Sequence, residues 1–300
     1  MQLNLFNFMS KQEKIKIGFM GNGYVGKHIA DDMENRGYDV ERYALEAPFN
    51  KNKKAVVACD IIFVAVPTPT TPEGFDLGII EGVLTELSKT KKKKIVVIKS
   101  TILPGTTKIL QKKFRSLTLL FCPEFLGEST AAHDATYPIM NIVGMPVQTA
   151  VHRRAAEKVM SVLPYAPFSQ ICGSTEAEIK KYAHNTSGYI QVVIFNLFYD
   201  LAQKLDADWE PIQRALVANP FIASRYSYPV HKGGRGAGGH CFIKDFAAIR
   251  QLFGTLFPND PYALRMLESI EEKNLQLLAN TKKDALIVES VYGKAGSKKK

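Results

Sequence analysis

The 300-residue sequence predicts an α/β protein: a doubly wound parallel sheet, followed by an α-helical domain with a long central helix. Three observations carry this. Short, continuously apolar runs recur in the first half, such as Ile61-Ile62-Phe63-Val64-Ala65-Val66 and Ile95-Val96-Val97-Ile98, and strands buried on both faces of a parallel sheet have this composition. Strands alternate with helical patterns, and each strand ends in a polar loop. From Ser174 the period changes: Ile179, Ala183, Ile190, Val193, Ile194 and Leu197 recur at helical spacing to about Leu205.

In chain order, Lys14 to Met20 reads as the first strand. Gly21-Asn22-Gly23-Tyr24-Val25-Gly26 follows at once, and then a helical pattern through Val25, Ile29 and Met33. G-x-G-x-x-G between a strand and a helix is a dinucleotide fingerprint, so this half is Rossmann-like and NAD is its expected cofactor. Gly21, Gly23 and Gly26 permit a tight turn and close approach, and Tyr24 and Val25 open the helix whose N-terminus faces the pyrophosphate. The second strand is expected over Asp39 to Tyr43. The usual acidic ribose ligand would stand at Ala44; Glu46, about 20 residues past the glycines, is the candidate instead. Arg42 beside it points toward NADP, and NAD is preferred.

The third strand, Ile61 to Val66, ends in Pro67-Thr68-Pro69-Thr70, a stiff loop at the carboxyl end of the sheet, where such folds bind ligands. A helix over Leu77 to Ser88 leads to a fourth strand, Lys94 to Ile98, which ends in Lys99-Ser100-Thr101. A fifth, Leu117 to Phe121, ends in Cys122-Pro123-Glu124-Phe125-Leu126-Gly127-Glu128, and Asn141 to Gly144 reads as a sixth. Thr101, Glu124 and Glu128 then gather on one rim. Each could be an ordinary cap or turn residue, and their convergence favours a site.

Thr175 and Glu178 suit a capping box at the start of the long helix. Lys181 and Asn185, four apart, share one of its faces, and Asn196 returns to that face three turns on. Further helices are expected over Asp206 to Val217 and Pro261 to Leu278. Between them lies Gly233-Gly234-Arg235-Gly236-Ala237-Gly238-Gly239-His240-Cys241-Phe242-Ile243-Lys244-Asp245. Its glycines let a ligand approach the backbone. Cys241 at a helix start, beside His240 and Lys244, has reasons to ionise, and Asp245 lies one turn on, on the same side. A buried, inert cysteine is the plain alternative; with this loop a nucleophile is the better reading.

Composition bounds the rest. Cys59, Cys122, Cys172 and Cys241 form no CxxC pair, which disfavours a disulfide framework or a zinc ribbon and fits a reducing cytosol; no metal site is expected. No apolar run is long enough to span a bilayer, and the N-terminus lacks a secretory apolar core. The net charge of +10 sits largely in Lys51 to Lys54, Lys91 to Lys94 and Lys298 to Lys300. Solvated loop charge explains it better than nucleic acid, and it also suits a phosphorylated substrate. The expected organisation is an N-terminal extension over 1–13, a dinucleotide-binding domain over 14–172, a helical domain over 173–282, and a remnant with a basic tail over 283–300.

Six separated motifs together resemble the UDP-glucose/GDP-mannose dehydrogenase family over roughly residues 14–280. They are Gly21 to Gly26; Val66-Pro67-Thr68-Pro69; Ser100-Thr101 with Pro104-Gly105-Thr106; Pro123-Glu124-Phe125-Leu126-x-Glu128; Lys181-Tyr182-Ala183-His184-Asn185; and Gly238-Gly239-His240-Cys241-Phe242-x-Lys244-Asp245. The resemblance implies a four-electron oxidation of a sugar primary alcohol to a uronic acid, UDP-glucose to UDP-glucuronate first among the choices. NAD takes a hydride to give an aldehyde, Cys241 adds as thiolate, a second NAD oxidises the thiohemiacetal, and water hydrolyses the thioester. It implies Lys181 and Asn185 as oxyanion stabilisers and Asp245, Glu124 and Thr101 as groups that position or deprotonate water. It places Pro67, Thr68 and Thr101 at the cofactor and Phe125, Leu126, Glu128, Arg225 and Gly238 at the substrate. It also implies a homodimer formed through the long helix, and with the scattered cysteines the protein is expected in the cytoplasm.

The sequence departs from the family pattern at Ala237, where the family usually has Phe; at Ile243, where it has Pro; and at Met140, where it has Arg. The family's third, nucleotide-holding domain would begin near Ala285 to Val288, which could be its first strand. The nucleotide part of the site is therefore expected to need a partner chain or a smaller substrate. Two rival readings stay open. One is a two-electron β-hydroxyacid-type dehydrogenase, which has a Lys-x-x-x-Asn pair but no catalytic thiol. The other is a non-catalytic binding subunit derived from the family.

Overall fold

The computed structural model describes residues 15–90 and 93–294; the expected N-terminal extension, Lys14, Lys91-Lys92 and the basic tail from Ala295 lie outside the described residues. The chain divides into two compact units. The described part of the first is residues 15–67 and 78–177, and that of the second is 68–77 and 178–294.

The first unit opens with β1 (Lys16–Met20), α1 (Tyr24–Asn35), β2 (Asp39–Tyr43), α2 (Lys53–Ala58) and β3 (Ile61–Val64). The hairpin β4 (Thr70–Thr71) and β5 (Gly74–Phe75) interrupts it and belongs to the second unit. It resumes with α3 (Gly78–Ser88), β6 (Ile95–Ile98), α4 (Thr106–Lys113), β7 (Thr118–Phe121), α5 (Ala131–Thr136), β8 (Met140–Met145), α6 (Ala150–Val162) and β9 (Phe168–Gly173). The sheet order is β2-β1-β3-β6-β7-β8-β9. All pairs are parallel except β7 with β8, which meet antiparallel at Phe121 and Gly144. The expected parallel sheet is thus mostly parallel, with a seventh strand the sequence did not announce. The first half of β9, Phe168-Ser169-Gln170, is exposed, so the strand lacks the continuous apolar run that marks the inner strands.

Every residue of β3 and β7 is buried. Ile17, Phe19, Ile61, Phe63, Val97 and Leu120 share one core with Ile29 and Met33 of α1 and Ala156 and Val159 of α6. Burying side chains of this size removes roughly 1.5–3 kcal/mol of unfavourable hydration each. The chain builds β2 on one side of β1 and β3 on the other. The crevice where the order reverses opens at the carboxyl ends of β1 and β3, the place where open α/β sheets take ligands.

The long helix α7 (Ser174–Lys204) has its first turn in the first unit and the rest in the second. Thr175 does not cap it: the helix begins at Ser174, the Thr175 hydroxyl is buried without a hydrogen-bond partner, and Glu178 is fully buried. The second unit continues with α8 (Trp209–Ala218), a two-strand ribbon of β10 (Val230–His231) and β11 (Gly234–Arg235), α9 (Gly239–Leu256), α10 (Pro261–Asn280) and α11 (Ala285–Tyr292). Residues 285–288, read from sequence as a possible strand, are the first turn of α11. Ile287, Val288 and Val291 pack on Ile243 and Ala247 of α9 and Leu278 of α10, so the run is buried on one helical face. The β4–β5 hairpin packs on α9 and α11, and Gln251 Nε2 donates to the Thr71 carbonyl at 3.4 Å. Among the described residues, no helix is long and apolar enough to cross a membrane.

Candidate active site

In the first unit the turn after β1 is built by its three glycines, each for a different reason. Gly21 has φ +98°, and a side chain there would run into the Ala65 carbonyl. Gly26 lies under α1, where a Cβ would strike the Gly21 carbonyl. Gly23 is the opposite case: a Cβ there meets nothing within 4 Å. Two glycines therefore close the turn and the third leaves open space at the N-cap of α1, where it offers no capping side chain of its own. Asn22 Oδ1 beside it is buried without a hydrogen-bond partner. An open glycine at a helix N-terminus and an orphaned amide oxygen fit a bound dinucleotide pyrophosphate and its neighbouring groups.

Arg42 does not read a phosphate. Its guanidinium is buried against α1, with Nη1 2.6 Å from Asp31 Oδ1, and Nε and Nη2 at 2.9 and 2.6 Å from the two Glu34 oxygens. Asp31 is held below the usual carboxylate range; burial opposes this, and its bonds to Lys27 and Arg42 prevail. The cation that pointed to NADP is thus neutralised inside the fold. Glu46 is exposed, three residues past β2.

The rim beyond the strands is tied by short polar bonds. Ser100 Oγ donates to the Val66 carbonyl at 2.6 Å and accepts from the Val66 amide at 3.0 Å, joining the ends of β3 and β6. Buried Lys99 reaches Cys122 Sγ at 3.5 Å and the Pro123 carbonyl at 3.4 Å, joining β6 to β7. Tyr24 Oη donates to the Gly127 carbonyl at 2.6 Å, tying the start of α1 to the loop that carries Glu124, Phe125, Leu126 and Glu128. Glu124 is buried and its Oε2 accepts from the Leu126 amide at 2.8 Å, whereas Glu128 is exposed. Thr101 directly follows Ser100, and Pro67 ends the first unit's segment after β3. The sequence motif contained Ser100 but gave it no task; its position between two strand ends supplies one.

In the second unit, α7 and α9 meet through a polar contact. Asn185 Nδ2 donates to Asp245 Oδ2 at 2.6 Å, and Lys244 Nζ lies 2.5 Å from Asp245 Oδ1. Lys181, Asn185 and Asp245 are all buried. One turn back along each helix stand Lys181 and Cys241. The contact is seated by packing: a side chain on Gly188 would overlap the rings of Tyr226 and Phe242, Phe242 lies edge-on to Tyr189, and Tyr189 stacks on Phe246 at 4.0 Å. Cys241 itself is exposed, third in α9, while Cys59 and Cys122 are buried. Tyr182, between Lys181 and Asn185 in sequence, is fully buried with its hydroxyl unpartnered; burial, then Asp245 and Glu178, hold it far above the usual phenol range. Lys180, next to Lys181, is pushed down to about 8 by burial and by Lys181's charge. Arg225 is exposed in a single 3-10 turn, and Thr68 opens the hairpin segment.

The glycine loop departs from expectation. Its glycines admit the protein's own chain. A Cβ on Gly234 would meet Lys283 and Thr281, one on Gly236 would meet Asn274 Oδ1 at 2.9 Å, and one on Gly238 would overlap the Asp284 carboxylate. Asn274 brackets Ala237, accepting from its amide at 2.6 Å and donating to its carbonyl at 2.9 Å. Asp284 Oδ2 accepts from the Gly239 amide at 2.7 Å, at the first residue of α9. Sequence reasoning missed Asn274 and Asp284, because nothing local marks two polar residues more than thirty positions downstream.

Both halves match domain models of one family: residues 41–163 the NAD-binding domain, and 175–276 the central domain, of the UDP-glucose/GDP-mannose dehydrogenase family. The family these models describe is one of NAD-binding dehydrogenases. The chain belongs to the UDP-glucose/GDP-mannose dehydrogenase family. It is 29% identical over 230 residues to the UDP-glucose 6-dehydrogenase of Campylobacter jejuni, an alignment covering 74% of this chain and 54% of that protein. The chain spans about half the length of several curated relatives of this name. A UDP-glucose dehydrogenase structure from Pyrobaculum islandicum shares the fold, with TM-score 0.75, 24% identity, and coverage of 91% of this chain and 70% of that one. So does the 3-hydroxyisobutyrate dehydrogenase of Mycobacterium tuberculosis, with TM-score 0.68, 16% identity, and coverage of 91% and 98%.

Proposed function

We propose that the chain is a nucleotide-sugar 6-dehydrogenase that oxidises a sugar primary alcohol to the acid through a covalent adduct on Cys241, with UDP-glucose the first substrate to test. The observation that carries this reading is the Asn185–Asp245 hydrogen bond, which sets the Lys181/Asn185 turn of α7 beside the turn of α9 that bears the exposed thiol. A two-electron dehydrogenase of β-hydroxyacid type has no use for that thiol.

NAD, when bound in the crevice beside Gly23, supplies the two-electron acceptor for each oxidation. The protein's residues do the remainder. After the first oxidation the Cys241 thiolate forms a C–S bond to the aldehyde carbon, and the carbonyl oxygen gains a proton. Oxidation of this thiohemiacetal gives a thioester; water then attacks and the thiolate leaves. The balance is one alcohol, one water and two NAD⁺ to one carboxylate, two NADH and three protons. Lys181 and Asn185 donate to the developing oxyanion, where a removed donor typically costs about 10²–10³ in rate. Asp245, held by Asn185 and Lys244, positions water or takes its proton, a role the reading also gives to Glu124 and Thr101. Glu46 and the Pro67-Thr68 segment contact the cofactor. Phe125, Leu126, Glu128, Arg225 and the Gly238 backbone contact the sugar nucleotide. The exposed apolar row Ile194, Leu197, Phe198 and Leu201 on α7, with Leu205 just past its end, supports a homodimer through that helix, and the reading places the enzyme in the cytoplasm.

The test is a panel of UDP-, GDP- and free sugars with NAD. Two NADH per sugar oxidised, and a thioester on Cys241 trapped and mapped by mass spectrometry, are expected. Cys241→Ser is expected to abolish acid formation. One NADH per substrate, or an unimpaired Cys241→Ser variant, would exclude the covalent route, and silence across the panel would favour a binding subunit.

A further inference from the structure

We propose that Asp284 sets the reactivity of Cys241, by fixing the first turn of α9 through the Gly239 amide and by placing a carboxylate at that helix's N-terminus. The inference rests on the reading of Cys241 as nucleophile and assigns a positioning residue to it from the far end of the chain. The Asp284 carboxylate oxygen lies 2.7 Å from the Gly239 nitrogen, two residues before Cys241. The contact is built from both sides. Asp284 sits in the left-handed region, φ 54°, immediately before α11, and Gly238 lacks the side chain that would collide with its carboxylate. The turn that carries it is pinned to the same loop: Lys283 Nζ donates to the Gly236 carbonyl at 3.0 Å, and Thr281 Oγ1 accepts from the Arg235 amide at 3.1 Å. Beyond the turn, α11 is anchored by Tyr292 Oη donating to Glu271 at 2.7 Å. The carboxylate is therefore part of a fixed frame.

A helix N-terminus favours negative charge, which is why a cysteine there ionises readily. A carboxylate already hydrogen-bonded to the first amide competes for that field. Asp284 thus steadies the turn and restrains the thiol. The charged groups on the elements around this turn include His240, Lys244 and Asp245 of α9, Lys181 and Glu178 of α7, Arg235 of β11, whose guanidinium pairs with Asp200, and Lys282, Lys283 and Asp284 of the 281–284 turn. Lys283 and Asp284 are the pair whose side chains bond the loop backbone itself, and they carry opposite signs.

Opposite signs give the test its direction. Iodoacetamide alkylation of Cys241, followed by peptide mapping to separate it from the half-buried Cys172, reads the thiol without substrate or cofactor. Asp284→Asn keeps an oxygen for the Gly239 amide and removes the charge. It is expected to speed alkylation about 2- to 5-fold at pH 7 and to move the midpoint of the pH–rate profile down. Lys283→Gln is expected to slow alkylation and move the midpoint up. Thermal melts of both variants report the fold; should Asp284→Asn fail to fold, Lys283→Gln decides alone. An unchanged or slower Asp284→Asn, shifts of one sign in both variants, or a Cys241 inert across the pH range would overturn the proposal. Absence of NADH from every sugar nucleotide would count against the dehydrogenase reading and leave this experiment untouched.

Discussion

Gly23 and Gly26 lie three residues apart in one turn and do different work, which makes them separable. Gly26→Ala puts a methyl group into the Gly21 carbonyl. Backbone must shift, at a cost of about 1–3 kcal/mol. Gly23→Ala meets nothing within 4 Å, so the melting temperature is expected to stay close to wild type while NAD affinity falls, because the methyl occupies the cofactor's approach. Calorimetric NAD titration beside a thermal melt checks both; a Gly23→Ala chain that binds NAD normally would mean the open space is not the pyrophosphate site. At this scale the sequence was most legible where chemistry is local. The glycine fingerprint, and the i, i+4 pairs Lys181/Asn185 and Cys241/Asp245, follow from helical and turn geometry alone. What stayed hidden was what a side chain faces. Arg42 read as a phosphate reader because its two carboxylate partners lie 8 and 11 residues away on another element.

Among the elements, α11 shows where reading by pattern stops. Ala285-Leu286-Ile287-Val288 is a four-residue apolar run, and such a run does not distinguish strand from helix. The distinction makes a testable difference. In a strand Ile287 and Val288 would point to opposite faces. In α11 both pack with Val291 on α9 and α10, and Leu286 is exposed. Ile287→Ala and Val291→Ala are each expected to cost about 1–3 kcal/mol in urea unfolding, and Leu286→Ala less than about 0.5. A costly Leu286→Ala beside a neutral Val291→Ala would restore the strand. β9 escaped for the converse reason: its first half is exposed and holds Ser169 and Gln170 after Phe168, and the parallel bond to β8 supplies what its side chains do not announce. The glycine loop was seen as a loop, but its close partner was assigned to a ligand. A glycine reports that something comes near, and only the packed chain shows that the 281–284 turn is one of the things that does.

At the scale of the whole molecule, buried acids that must stay protonated fix the alkaline limit of stability. Tyr189 and Tyr292 are held above the usual phenol range by burial, with Glu271 adding to it, as is Tyr182 by burial, then Asp245 and Glu178. Cys59 is pushed up to about 11 by burial, with Glu41 second. Each has a folded pKa above its unfolded one, so its contribution is complete below the unfolded value and is lost as pH rises toward the folded value. For Cys59 the window runs from 9.0 to about 11, and for the tyrosines it opens at 10.0. Lys180 runs the other way: its pKa falls from 10.5 to about 8, so unfolding takes up a proton there and stability rises with pH across that interval. Cys172 is raised as well, by burial and then by Glu176, so one lysine against three tyrosines and two cysteines leaves the net loss on the alkaline side. Calorimetric melts are expected to show little change from pH 7 to 9 and a falling midpoint by pH 10.5. Tyr292→Phe gives up the bond to Glu271, about 1–3 kcal/mol at neutral pH for a hydrogen bond to a buried charged group. It also removes one of the ionisations, so its midpoint starts lower and falls less steeply above pH 10. A wild-type midpoint that climbs between pH 9 and 10.5, or a Tyr292→Phe slope steeper than wild type, would show that these buried hydroxyls do not govern the transition.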